Sequence, residues 1–132
     1  MQRKIISFFT LLLTVFLSAT VFFSCKEDTV EPVVIKTGET VTADTTLLAY
    51  MTELENAGEL DFELKDGMVT ELNGKANTAN SFWMLYTSDA ANANTAWGSY
   101  EYEGQTLGSA TLGAETLIIA KSTVYIWVYQ SF

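Results

Sequence analysis

The sequence predicts a small α+β domain: one N-terminal helix packed on a sheet of about five or six mostly antiparallel strands. Three observations carry this. Leu47, Leu48, Met51 and Leu54 recur at helical spacing. From Leu60 onward the apolar period becomes two. Turn residues such as Lys65-Asp66-Gly67 and Asn73-Gly74 then punctuate the chain at short intervals. One helix followed by a run of short strands is the signature of an α+β layer arrangement.

The chain opens on Met1-Gln2-Arg3-Lys4, followed by the uncharged, apolar stretch Ile5 to Phe23 and then Ser24-Cys25-Lys26. A basic start and an apolar run are the layout of a secretory signal. The run is long enough to cross ~30 Å of hydrocarbon as a helix, so an uncleaved anchor is one reading. The other is a lipoprotein signal peptide over 1–24 that ends at a lipobox, Phe22-Phe23-Ser24-Cys25. The only cysteine stands where the apolar run stops and Lys26-Glu27-Asp28 begins, which favours lipidation of Cys25. Residues 25–32, with the sole proline at Pro32, then read as the lipidated Cys and a short tether, and 33–132 as the domain. Either reading exports the domain and holds it at the outer side of the cytoplasmic membrane, in the cell envelope. Attached acyl chains would anchor it at ~0.8 kcal/mol per buried methylene.

Within the domain, Pro32 to Thr37 reads as an edge strand, and Gly38 to Val41 as a turn that continues it. Asp44-Thr45-Thr46 starts a helix over 45–57, with Gly58 placed to end it. Leu60 to Leu64 and Met68 to Leu72 form a hairpin about Lys65-Asp66-Gly67. Ser81 to Thr87 is apolar on both faces, hence a central or doubly covered strand. An Asn-rich loop, Asp89 to Asn94, leads to Trp97–Glu103, where Tyr100 and Tyr102 share a face. Gly104 to Gly113 reads as a Gly/Ala/Ser/Thr-rich excursion. Glu115 to Ala120 and Thr123 to Gln130 read as a final strand pair. In the last strand Val124, Ile126 and Val128 lie on one face and Tyr125, Trp127 and Tyr129 on the other.

Composition narrows the functions. The chain has 7 basic and 16 acidic residues. Without Arg3 and Lys4 the mature chain keeps 5 against 16, a net of −11, which repels nucleic acid and anionic membrane surfaces. Histidine is absent, removing the commonest general base and transition-metal ligand. No nucleophile elbow or phosphate-cradling loop is present. Asp89, Asn92 and Asn94 share a loop but lack EF-hand spacing, so they read as a plain turn. The chain is expected not to be an enzyme, to hold no covalent cofactor and no metal.

The order of elements resembles a known family. A Leu-rich helix, a hairpin with Leu72-Asn73-Gly74, the strand Phe82-Trp83-Met84-Leu85-Tyr86 and the terminal Tyr125-Ile126-Trp127-Val128-Tyr129 look like the transcobalamin-like C-terminal domain family, over roughly Val33 to Tyr129. In that family a Gly-Asp pair commonly precedes the last strand, where this chain has Ala120-Lys121-Ser122. The resemblance implies a β-grasp-like fold. By analogy with the smaller lobe of cobalamin carriers, it suggests cobalamin or a related corrinoid as ligand.

The expected function is thus a cell-surface lipoprotein binding module for a corrinoid or other amphipathic ligand. A protein- or glycan-binding adhesion module, or a structural accessory lobe without a small ligand, stands as the alternative. Flat rings with polar tips suit a broad, partly polar macrocycle. The candidates are Trp83, Tyr86, Trp97, Tyr100 and Trp127, with Asn92 and Asn94 as amide partners.

Overall fold

A computed structural model describes residues 30–132. The signal, Cys25 and most of the tether lie outside the described residues. Strand β1 (Val33–Lys36) leads to helix α1 (Leu47–Asn56). A meander of β2 (Phe62–Lys65), β3 (Met68–Leu72) and β4 (Lys75–Ala76) follows. Then come β5 (Ser81–Thr87), β6 (Ala93–Tyr102), β7 (Gln105–Ala110) and β8 (Val124–Ser131). The strands form two antiparallel sheets, one of five strands in the order β1-β8-β5-β7-β6 and one of three in the order β2-β3-β4. Residues Glu31–Phe132 make one compact unit. Among them no helix is long and apolar enough to cross a membrane.

Helix α1 starts where the sequence places a cap. Thr46 Oγ1 accepts from the Ala49 N–H at 3.1 Å, satisfying one of the orphan donors of the first turn. Leu47 and Met51, one turn apart, are its fully buried residues. Gly58, at φ +78°, follows the C-cap Ala57. The helix end and the strand Ser81–Thr87 at the middle of the larger sheet thus agree with the sequence reading.

Three two-residue turns have both central residues at positive φ: Asp66-Gly67, Asn73-Gly74 and Glu103-Gly104. This is the type I′ geometry whose twist matches paired strands. The third joins β6 to β7 and corrects the reading of Gly104–Gly113 as an excursion. Gln105-Thr-Leu-Gly-Ser-Ala110 carries one large apolar residue, Leu107, and so shows no alternation. Glu115–Ala120 is also corrected: it forms no strand with β8. Its backbone serves the start of α1 instead, with Leu47 N–H on Leu117 O and Ile119 N–H on Thr45 O. The alternation itself was real, since Leu117 and Ile119 are buried and Ile118 is exposed. The single sheet of five or six strands becomes a sheet of five plus a separate meander.

The register sorts the larger sheet into two faces. Ile35, Trp83, Leu85, Thr87, Tyr125 and Trp127 share one, and all are buried. Leu47, Met51, Val69, Leu72, Leu117 and Ile119 are buried as well and supply the apolar cover. Side chains staple the meander onto this face. Trp83 Nε1 donates to Lys75 O (2.8 Å) and Tyr129 OH to Ala76 O (2.8 Å). Asn77 Oδ1 accepts from Trp83 N–H while its Nδ2 donates to Val69 O.

Tyr125 is fully buried, and its hydroxyl oxygen accepts from the Ala120 N–H at 2.8 Å. Burial pushes its hydroxyl above the ordinary 10.0, and the Ala120 bond opposes this only in part. The folded state therefore holds this proton more tightly than the unfolded chain. The resulting stability is full below pH 10 and is lost as pH rises through the raised value. Tyr125→Phe is expected to cost about 1–2 kcal/mol at neutral pH, because Ala120 loses its acceptor. It should also flatten the alkaline decline, as read from urea midpoints between pH 8 and pH 11. An unchanged alkaline slope in the variant would contradict this.

Candidate functional site

The opposite face of the five-stranded sheet carries Phe82, Met84 and Tyr86 from β5, Val124, Ile126, Val128 and Gln130 from β8, Leu107 from β7, and Tyr100 and Tyr102 from β6. Tyr86, Leu107 and Ile126 are buried, and Met84, Tyr100, Tyr102, Val124 and Val128 pack around them half-buried. The Tyr86 and Tyr100 rings stand 5.8 Å apart, tilted by 32°. Tyr86 OH donates to Gln130 Oε1.

This face is concave. In a flat sheet β1 and β6 would lie ~19 Å apart, four strand spacings of ~4.8 Å. Yet Lys36 Nζ of β1 reaches Glu103 Oε1 at 3.3 Å and sits 5.3 Å from the Tyr102 ring centroid. The sheet curls until its two outer strands converge at this end. The Tyr102 hydroxyl first, and the Glu103 carboxylate second, raise Lys36 above its ordinary 10.5. Both ends of the ion pair are more than half exposed, so it marks the curl rather than driving it. The burial of Leu107 against Ile126 and Tyr86 is the driving contact.

At the other end of β6 the ladder breaks. Asn94 pairs with Ser109 and Ser99 with Gly108, so Thr95, Ala96, Trp97 and Gly98 are inserted without partners. The bulge is held by Asn94 Oδ1, which accepts from Ala96 N–H at 2.9 Å. It leans over the aromatic face: a Cβ built on Gly98 would lie 3.5 Å from Tyr86 OH. A Cβ on Gly108 would meet Asn94 N and Ala93 Cβ at 3.0 Å, so the start of the bulge packs tightly on β7. Trp97, at the bulge, is 67 % exposed. Bulges re-aim side chains and twist edges away from unwanted pairing.

The structure divides the sequence candidates. Tyr86 and Tyr100 share the concave face, and Asn94 and Trp97 lie on the bulge whose Gly98 approaches Tyr86. Asn92 lies just outside, its Nδ2 donating to Asp89 Oδ2 at 2.8 Å in a short 3₁₀ turn. Trp83 and Trp127 lie on the opposite, covered face, 6 % and 5 % exposed. Trp83 packs edge-on against Tyr129, 5.1 Å between centroids. Trp127 Nε1 is buried with no hydrogen-bond partner among the described residues. Phe82, Met84, Val128 and Gln130 also belong with the concave face, although neither ring size nor loop position points to them. Their signal was the even-numbered alternation along Ser81–Thr87 and Val124–Gln130. Among the described residues no group of three or more acidic or cysteine ligands could hold a metal ion.

No family model, curated protein or solved structure matches the chain.

Proposed function

We propose that the chain is a cell-surface lipoprotein binding module whose concave aromatic face takes a broad, flat, amphipathic ligand, with cobalamin or a related corrinoid the foremost candidate. The observation that carries this is Trp97, exposed on an unpaired bulge whose Gly98 backbone closely approaches Tyr86 OH. An exposed indole on the bulge, with half-buried Tyr100, Tyr102 and Met84 on the neighbouring sheet face, offers apolar area with polar tips. The resemblance to the transcobalamin-like C-terminal domain family points to the same ligand class. It also supports reading the helix-and-sheet arrangement as β-grasp-like. The signal, the lipid on Cys25 and the station at the outer side of the membrane are part of this proposal, and rest on residues 1–25.

The test is a titration of the full chain in mild detergent with cobalamin and with cobinamide. All three tryptophans lie in the described residues, and Trp97 is the exposed one. Saturable quenching at micromolar ligand is expected, with a matching calorimetric signal. Trp97→Ala should weaken binding about tenfold or more, ~1.4 kcal/mol, without lowering the melting temperature. No saturable response in either assay, or full affinity in the variant, would remove the aromatic face as the site.

A further inference from the structure

We infer that a second site, separate from the aromatic face and independent of it, binds a single neutral sugar ring. It is a pocket of about 210 Å³ between the segment after β1 and helix α1. Its walls carry Thr40, Thr42, Thr45, Tyr50 and Glu53, with Ile119 at its base. Tyr50 and Glu53 are three residues apart on α1 and so lie on one face of the helix. Two backbone bonds set the opposing wall. Thr45 N–H donates to Thr42 O (3.3 Å), and Ile119 N–H donates to Thr45 O (2.9 Å). Ile119 is itself buried, so the base is anchored in the core.

The polar side chains of this pocket, of which Thr40, Thr42 and Glu53 are exposed and Thr45 and Tyr50 half-buried, have no partner among the described residues. The hydroxyls of Thr37, Thr46 and Thr52 all bond to backbone. Those of Thr40, Thr42, Thr45 and Tyr50, and the Glu53 carboxylate, make no hydrogen bond to another described residue. Four hydroxyls that donate and accept, beside one carboxylate that only accepts, match the mixed donors and acceptors of a sugar's hydroxyl groups. The carboxylate can accept from two neighbouring hydroxyls at once. Tyr50 and Val41, both half-buried in the lining, provide the apolar surface that the C–H face of a pyranose needs. No Lys or Arg lines the pocket, so phosphates and carboxylates are repelled. The pocket is smaller than the ~300–1,000 Å³ of sites for drug-sized ligands. That admits one ring and not a macrocycle.

The ring can come from a free monosaccharide or from the end of a surface glycan, and the test separates the two. Amide spectra of the isotopically labelled full chain in detergent are recorded with methyl glucoside, methyl galactoside, methyl mannoside and N-acetylglucosamine. They are then recorded with oligosaccharides ending in the same residues. At least one sugar should shift Thr42, Thr45, Tyr50 and Ile119 saturably, in the millimolar range expected for so small a ligand. Equal affinity for the oligosaccharide means the ring alone is read, and tighter binding means a glycan end. Tyr50→Ala and the surface change Glu53→Gln should each weaken binding about tenfold, with the melting temperature of Glu53→Gln unchanged. Trp97→Ala should leave it intact, so failure here and failure of the corrinoid reading are distinct. No saturable shift with any sugar, or shifts that survive both variants, would overturn the proposal.

Discussion

Trp83→Ala is expected to cost about 3–5 kcal/mol of stability, the range for removing a buried large aromatic side chain. Trp83 is 6 % exposed and packs on Tyr129, and its Nε1 donates to Lys75 O across to the meander. Removing it leaves a cavity under β3 and β4 and strands the Lys75 carbonyl. The Asn77 bond to the Trp83 backbone N–H and the Asn77 grip on Val69 survive in the variant, so the meander loses the ring contact and the Nε1 bond while keeping that attachment. Urea unfolding should show a midpoint shift at nearly constant slope. At temperatures where the variant stays folded, its corrinoid affinity should equal that of the parent. A loss below ~1 kcal/mol, or a selective loss of ligand, would return Trp83 to the binding surface.

Leu107→Ala is the second large effect, about 2–5 kcal/mol, and it should act locally before it acts globally. Leu107 is fully buried against Tyr86 and Ile126. The hairpin it belongs to is joined to β5 by only two residue pairs, Tyr86↔Ser109 and Thr87↔Gly108. By contrast β5 and β8 are joined by seven. With its apolar plug gone, the β6–β7 hairpin is held by that short ladder, the Tyr86–Tyr100 ring contact and the exposed Lys36–Glu103 pair. Hydrogen exchange should therefore accelerate first at residues 99–108, while Met51, Leu85 and Ile126 keep their protection. Uniform acceleration across the domain would show that the hairpin does not open as a unit.

Much of this architecture was legible because local chemistry and tertiary structure agree. Thr46 caps and Gly58 closes α1, and Asp66-Gly67 and Asn73-Gly74 make the turns they announce. What misled was ambiguity that only packing resolves. Gln105–Ala110 has one large apolar side chain, so β7 carries no periodic signal, and its strand state comes from pairing with β6. Glu115–Ala120 alternates correctly, but its partner is the start of α1 rather than β8. The candidate site shows the same division. The alternation of Ser81–Thr87 and Val124–Gln130 separates Phe82, Met84, Tyr86, Ile126 and Val128 from Trp83, Leu85, Tyr125 and Trp127. It does not say which set the helix and meander cover. Ring size drew attention to Trp83 and Trp127, yet the largest rings went to the side with the most apolar cover, as burial favours. Trp97 escaped that fate because the register break at Asn94/Ser99 lifts it out of the ladder, a feature of backbone geometry with no sequence pattern of its own.

The central claim is that the concave face, and not the covered one, receives the ligand. The most direct measurement follows methyl and indole resonances of the full chain in detergent during a cobinamide titration. Met84, Val128 and the Trp97 indole should move together and saturate at one concentration, while Met51, Leu72 and the Trp83 indole stay fixed. Movement centred on Leu72 and Trp83, with Met84 and Trp97 unmoved, would contradict the account.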